Sequence, residues 1–228
     1  MPLFYVYPYM KLFFAFLFGS VLGSFFGVIV DRLPLHQSII WGRSHCTSCQ
    51  HLLSACDLIP LVSQIFRKFK CRYCRAPIPK LYLILEFSCA LTFTLAVSHK
   101  LTSIQALFTL MSILLSAFDS RDHHFPLSVW LFFTLIFMIS FPFHLVYLCW
   151  IVLALLAERF SLNIGSGDFL WFFTASFVFD FFHQMLILEI ACFLGIGYYL
   201  FTKKRNEIPF IPFLTIAYLA LLLVPQIL

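Results

Sequence analysis

Six side chains in this sequence have the types and spacing to do chemistry. Cys46 and Cys49 in "CTSCQ", and Cys71 and Cys74 in "CRYCR", form two C-x-x-C pairs separated by 21 residues. Each pair sits on a tight turn that aims two thiolates at one point, and two such turns complete a tetrahedron around Zn²⁺. Four cysteines leave no open coordination position, so the expected zinc is structural and not catalytic. Reduced thiols or disulfides are the alternative. The other two side chains are Asp119, in "LLSAFDSRDHHFP", and Asp168, in "SLNIGSGDFLWFF". Two carboxyls sharing one site cannot both ionise easily, so one keeps its proton while the other stays charged. Such a pair can activate a water and protonate a leaving amine, which is aspartyl-protease chemistry. Gly165 and Gly167 lack a Cβ, so the backbone beside Asp168 can approach a substrate chain closely. The competing reading makes both aspartates ordinary acids at helix ends. Asp122 is a rival to Asp119, nearer to His123 and His124 and more solvated. The histidine pair itself reads either as a metal ligand set or as solvated side chains.

The elements that must position these residues are apolar. Of 228 residues, 62% are hydrophobic, 31 are phenylalanine and only 11% are charged. A soluble domain carries about 25% charged residues. So much apolar surface requires lipid as part of the solvent. The long unbroken runs argue for helices; a membrane β-barrel would show alternating segments of about ten residues. The fold class expected is therefore an all-α polytopic integral membrane protein with a cytoplasmic zinc-binding insert after the first helix. The domains run 1–30 (first transmembrane helix), 31–80 (insert) and 81–228 (transmembrane catalytic helices). No cleavable signal peptide is evident, and the first run reads as a retained span.

Uncharged runs cover residues 12–30, 101–118, 125–157 and 208–228; 81–99 holds only Glu86, and 169–201 holds Asp180 and Glu189. The run 125–157 is too long for one span and is expected to turn at Pro142 in "SFPFH". The run 169–201 is expected to turn near "FFHQM", which brings the count to about eight spans. Lys and Arg gather in cytoplasmic loops. Eight of the 15 basic residues lie in 31–80, which makes the insert cytoplasmic and disfavours disulfides there. Alternating eight spans then puts Arg121, Arg159, Lys203, Lys204 and Arg205 on the same side, leaving only Lys11 and Lys100 outside. Both aspartates fall at cytoplasmic ends of spans and can meet. The net charge of +5 follows from this topology and not from nucleic-acid binding.

Acids inside spans are functional candidates by default. Glu86 is expected to support the active site or to pair with Lys80 or a basic loop residue. Asp180 and Glu189 fall near an outer turn within reach of water. Gly19, Gly23 and Gly27 recur every four residues, a face suited to close helix packing that a substrate helix could also use. Cys56, Cys89, Cys149 and Cys192 read as buried small hydrophobes.

With these residues in view, "GSFFGVIVDRLP", "GRSHCTSCQHLLSACDLIPLVSQ" and "KCRYCRAPIPKLYLILEF" resemble the N-terminal part of the prepilin peptidases, the type IV leader peptidases. Asp119 followed seven residues later by Pro126 resembles that family's first catalytic segment, and "GSGD" its GxGD motif. The likeness runs in order over roughly residues 19–170. It implies an eight-span GxGD-type aspartyl endopeptidase of the bacterial cell membrane with its active site at the cytoplasmic face. Asp119 and Asp168 would be catalytic, and Cys46, Cys49, Cys71 and Cys74 would hold structural zinc. The substrates implied are prepilins or competence pseudopilins, cut after a glycine that ends a short basic leader. Many members also methylate the new N-terminus with S-adenosylmethionine. Three departures stand out: Gly27 where the family usually has Asn, Leu170 in place of a frequent Lys, and Leu127 in place of a frequent acid. They bear on the methyltransferase, since the aspartate pair is intact, and they lean towards a Gram-positive, competence-type member. Two other functions compete: a non-catalytic zinc-bearing assembly factor that binds pseudopilins without cutting them, and a transporter using Asp168 and Glu86 as ion ligands. Membrane lipid is a partner on every reading.

Overall fold

Helix occupies each of the apolar runs. The computed structural model describes residues 3–142, 144–160, 165–202 and 208–222, with side chains from residue 9 onward. Phe143 of the expected turn, residues 161–164 before "GSGD", and Lys203, Lys204 and Arg205 lie outside the described residues. The helices are α1 (Leu3–Arg32), α2 (Val62–Phe66), α3 (Leu81–Val97), α4 (Ser103–Asp122), α5 (Leu127–Ser140), α6 (Leu148–Arg159), α7 (Ser166–Ala175), α8 (Phe181–Thr202) and α9 (Ile211–Leu222). Among the described residues there is no strand longer than an isolated bridge. Among the described residues three helical stretches are long and apolar enough to cross a membrane: Tyr9–Arg32, Ser103–Asp122 and Phe181–Thr202. Leu81–Val97, Leu127–Ser140 and Ile211–Leu222 are apolar but shorter.

Both ambiguous runs are broken. The first breaks where expected: α5 ends at Ser140, and a 3-10 turn over Leu145–Tyr147 leads into α6. The second breaks earlier than expected. "FFHQM" opens α8, and the turn lies over residues 176–180. Asp180 explains the shift, because its carboxylate accepts the His183 backbone N–H at 3.2 Å, as an N-cap does. Asp180 and Glu189 are both exposed.

The chain divides into two compact units, residues 1–106 and 107–228. In the first, α1 packs against α3 along the glycine face. A Cβ on Gly23 would lie 2.5 Å from Glu86 Cα and Leu85 O; one on Gly19 would lie 2.6 Å from Cys89 O. The groove that a substrate helix could have used is thus filled by α3. Gly23→Ala is expected to destabilise the fold by about 1–3 kcal/mol, since backbone and not a side-chain tip must yield. Thermal unfolding in detergent would test this against Gly197→Ala, which has no neighbouring atom within 4 Å. Equal melting temperatures for the two variants would refute the packing argument.

In the second unit α7 is the central pin. Trp171, Phe172, Phe173, Thr174 and Ala175 are all buried. The Trp171 indole N–H donates to Ser112 Oγ on α4 at 3.0 Å. The Trp130 indole N–H on α5 donates to Leu170 O and Thr174 Oγ1, both at 2.9 Å. Trp150 on α6 stacks on Phe172 at 4.9 Å between ring centroids. Of the four remaining cysteines, only Cys89 is buried; Cys56, Cys149 and Cys192 are exposed, contrary to expectation. Cys149 and Cys192 lie on helices whose outward faces are apolar, so a small hydrophobe there need not be enclosed by protein.

Candidate functional site

Two constellations take shape, one in each unit. The first is the cysteine tetrad of the insert. Its two halves repeat with a constant offset of 25 residues. Cys46 N–H donates to His51 O at 3.0 Å and Gln50 N–H to Cys46 O at 2.9 Å; Cys71 N–H donates to Ala76 O at 2.9 Å and Arg75 N–H to Cys71 O at 3.0 Å. Bridges His45–Leu52 and Lys70–Pro77 close the two turns. Gln50 and Arg75 carry matching left-handed φ angles of 58° and 59°. The two turns bring all four sulfurs within 4.8 Å of one another, with Cys46 and Cys74 3.8 Å apart. A metal–sulfur bond of about 2.3 Å gives tetrahedral edges of about 3.8 Å. Backbone and side-chain donors, the Cys49 N–H foremost, pull the Cys46 thiol down to about 6, toward the ligating thiolate. The donor set therefore fits a metal such as zinc held by four protein ligands.

The insert is tied down at both ends. The Arg32 guanidinium at the end of α1 donates to the carbonyls of Ser38 (2.9 Å), Trp41 (3.1 Å), Arg43 (3.3 Å) and Gly42 (3.4 Å). The Tyr82 hydroxyl donates to Asp31 at 2.9 Å. Asp57 pairs with Arg67 and accepts from Ser54 N–H and Oγ. Burial alone would push that carboxyl up, but the Ser54 donors and Arg67 outweigh it and hold it below the usual range. Among the described residues, Glu86 forms no ion pair with a lysine. It is 4% exposed, and its Oε2 accepts from Leu61 N–H at 2.6 Å and Gln64 Nε2 at 2.8 Å.

The second constellation is the acid pair. Asp119 lies in the last turn of α4, where the helix dipole disfavours a carboxylate. The start of α9 offsets this: Ile211 N–H donates to Asp119 Oδ2 at 3.0 Å. Asp168 sits in the first turn of α7, behind Gly165 as N-cap, where the dipole favours an acid. The negative charge of Asp119 bears on Asp168. The two acid-bearing segments meet at Gly167 and Phe125. A Cβ on Gly167 would lie 2.5 Å from the ring of Phe125, one residue before Pro126. A Cβ on Gly165 would lie 3.2 Å from Asp168 Oδ2. Asp122, the rival, is an exposed neighbour of Arg121.

The two glycines therefore predict different failures. Gly167→Ala is expected to lower stability by about 1–3 kcal/mol, because the Phe125 ring must move. Gly165→Ala presses on the carboxylate tip alone, so it is expected to impair turnover while the melting temperature holds. Thermal unfolding and a cleavage assay on both variants separate the cases, and a Gly165→Ala protein as active as the parent would defeat the second.

Sequence reasoning missed the Ile211 donor. Prolines at 209 and 212 do mark a helix start there, but nothing in the sequence says which acid that start faces. Gly27 also gains a meaning, because a Cβ on it would lie 2.8 Å from the Tyr82 ring. The asparagine that the resemblance expects at this position would not fit without moving Tyr82.

The metal-ready tetrad follows a first apolar helix and is held in one unit with α1 and α3. Residues 17–100 match the family model described as the Bacterial Peptidase A24 N-terminal domain. Among curated proteins, the chain is 42% identical over 81 residues to a prepilin leader peptidase/N-methyltransferase of Bacillus subtilis, covering 36% of this chain and 33% of that one. It is 40% identical over 80 residues to one of Myxococcus xanthus, covering 35% and 24%. A longer match, 29% over 133 residues, joins it to one of Aeromonas hydrophila, covering 48% and 45%. The chain thus spans a third or less of the first two relatives. No solved structure matches it. The family model ends at residue 100, so Asp119 and Asp168 lie beyond it.

Proposed function

We propose that this protein is a membrane aspartyl endopeptidase that removes the basic leader of a type IV prepilin or competence pseudopilin at the cytoplasmic face of the bacterial cell membrane. What supports the reading is the meeting of the two acid-bearing segments, where Gly167 lies against the Phe125 ring and the charge of Asp119 bears on Asp168, in a chain whose residues 17–100 match the Bacterial Peptidase A24 N-terminal domain. One carboxylate takes a proton from water as the water attacks the scissile carbonyl, and the other carboxyl gives its proton to the leaving amine. Gly165, exposed beside Asp168, leaves the backbone there open to a substrate chain, whereas Gly167 is closed off by the Phe125 ring. Eight spans are the topology this reading uses; among the described residues three helices are long and apolar enough to cross a membrane and three more are apolar but shorter. On that topology the domains are the first span at 1–30, the insert at 31–80 and the catalytic helices at 81–228. In this reading Cys46, Cys49, Cys71 and Cys74 hold a structural zinc that stiffens the insert and takes no part in the cut.

The names of the relatives also carry N-methylation, with S-adenosylmethionine as the donor that the resemblance implies. One experiment addresses both activities. The full chain is co-expressed with a prepilin, and the intact mass of the pilin is measured. Loss of the leader supports the peptidase, and one added methyl group supports the transferase. An unprocessed pilin that nevertheless co-purifies with the chain would favour the assembly-factor alternative.

A further inference from the structure

A cavity of about 190 Å³ lies in the first unit, bounded by α1, α3 and the insert. Its lining includes Asp31, Gln64, Arg72, Tyr82 and Glu86. Two of these are unusual. Glu86 is a buried carboxylate whose donors are the Leu61 N–H, the Gln64 amide and the Ser24 hydroxyl, all of them neutral. Among the described residues no lysine or arginine forms an ion pair with it. Beside it, Gln64 is 7% exposed, and its Oε1 has no hydrogen-bond partner among the described residues. A buried carboxylate without a counter-charge is costly, and so is an acceptor without a donor. One group answers both needs: a cation that also donates hydrogen bonds. Pockets for whole small molecules usually span about 300–1,000 Å³. This one is smaller and suits a single side chain.

We propose that this cavity receives one lysine side chain of a basic peptide, its ammonium held by Glu86 and by Gln64 Oε1. An ammonium brings three donors on a flexible apolar stem. The stem would run past Val28, Leu53 and Ile78, which also line the cavity. The identity of the peptide as a basic leader rests on the peptidase reading; the chemistry of the pocket does not. It also supplies what the strongly basic insert otherwise lacks, a place for a basic residue of the leader.

The test uses the full zinc-loaded chain in detergent and two synthetic peptides that share one sequence, one with a single lysine and one with that lysine acetylated. Calorimetry is expected to show the lysine peptide binding about tenfold more tightly, in line with a hydrogen-bonded charge pair. Glu86→Gln keeps the shape and is expected to erase that preference at unchanged zinc content. Equal binding of the two peptides by the parent chain, or an intact preference in Glu86→Gln, would overturn the proposal. Should Glu86→Gln fail to fold, Gln64→Met decides instead: about threefold weaker lysine binding is expected, and no change refutes the proposal. Prepilin cleavage is read on the same preparation. A chain that cuts but ignores the lysine sinks this proposal alone, and one that binds the lysine but never cuts sinks the peptidase reading alone.

Discussion

Asp168→Asn is expected to reduce cleavage of a co-expressed prepilin by about a thousandfold or more, with the protein still folded and at its normal level. Removing one member of an acid–base pair takes away a proton acceptor or donor worth roughly 10²–10⁴ in rate. Asp119→Asn is expected to do the same, and here the structure adds a control. The asparagine side-chain oxygen can still accept the Ile211 N–H, so α9 keeps its cap and the melting temperature should hold. Asp119→Leu removes the acceptor as well. It is expected to lose activity and about 1 kcal/mol of stability together. Intact-mass measurement of the pilin and thermal unfolding of each variant check this pattern. Wild-type cleavage by either asparagine variant would remove that residue from the mechanism.

The second large effect concerns the metal. Structural zinc in small cysteine-rich folds contributes about 10–16 kcal/mol of apparent binding energy, and such folds come apart without it. Residues 31–80 hold only a 3-10 turn and the short helix α2, so little other structure would survive metal loss. Elemental analysis is expected to find one zinc per chain. A strong chelator, or Cys71→Ser, is expected to open residues 31–80 to added protease while α4–α9 stay resistant. An insert equally resistant after the metal is gone would show that the tetrad is not what holds it.

How much of this was legible in the sequence depends on the range of the interaction. The tetrad could be read because each C-x-x-C pair is local and the spacing of the two pairs suits one metal; the left-handed Gln50 and Arg75 that follow the pairs could not, since neither residue type signals that conformation. The small-residue face of α1 could be read because its period is that of a helix. The break at Pro142 followed from the missing N–H of proline. The break before α8 was misplaced by a few residues, because Asp180, taken as a stray acid near water, is the cap that starts the helix. Contacts between distant segments were out of reach. Asp119 and Ile211 are 92 positions apart, and Glu86 meets Gln64 across 22. Lysine was the obvious partner for Glu86 by charge and proximity in the chain, yet the folded insert offers it a backbone N–H and an amide instead. The exposed Cys149 and Cys192 were misread because burial in an aqueous protein is a poor guide to chains meant for lipid.

The Ile211 donor to Asp119 has a consequence for biosynthesis. A ribosome adding roughly 5–20 residues per second needs about 5–20 s to travel from one to the other. Throughout that interval the aspartate has been translated and its hydrogen-bonding partner has not. On the peptidase reading proposed above, the nascent acid pair therefore lacks one of its settling contacts until the start of α9 has been made.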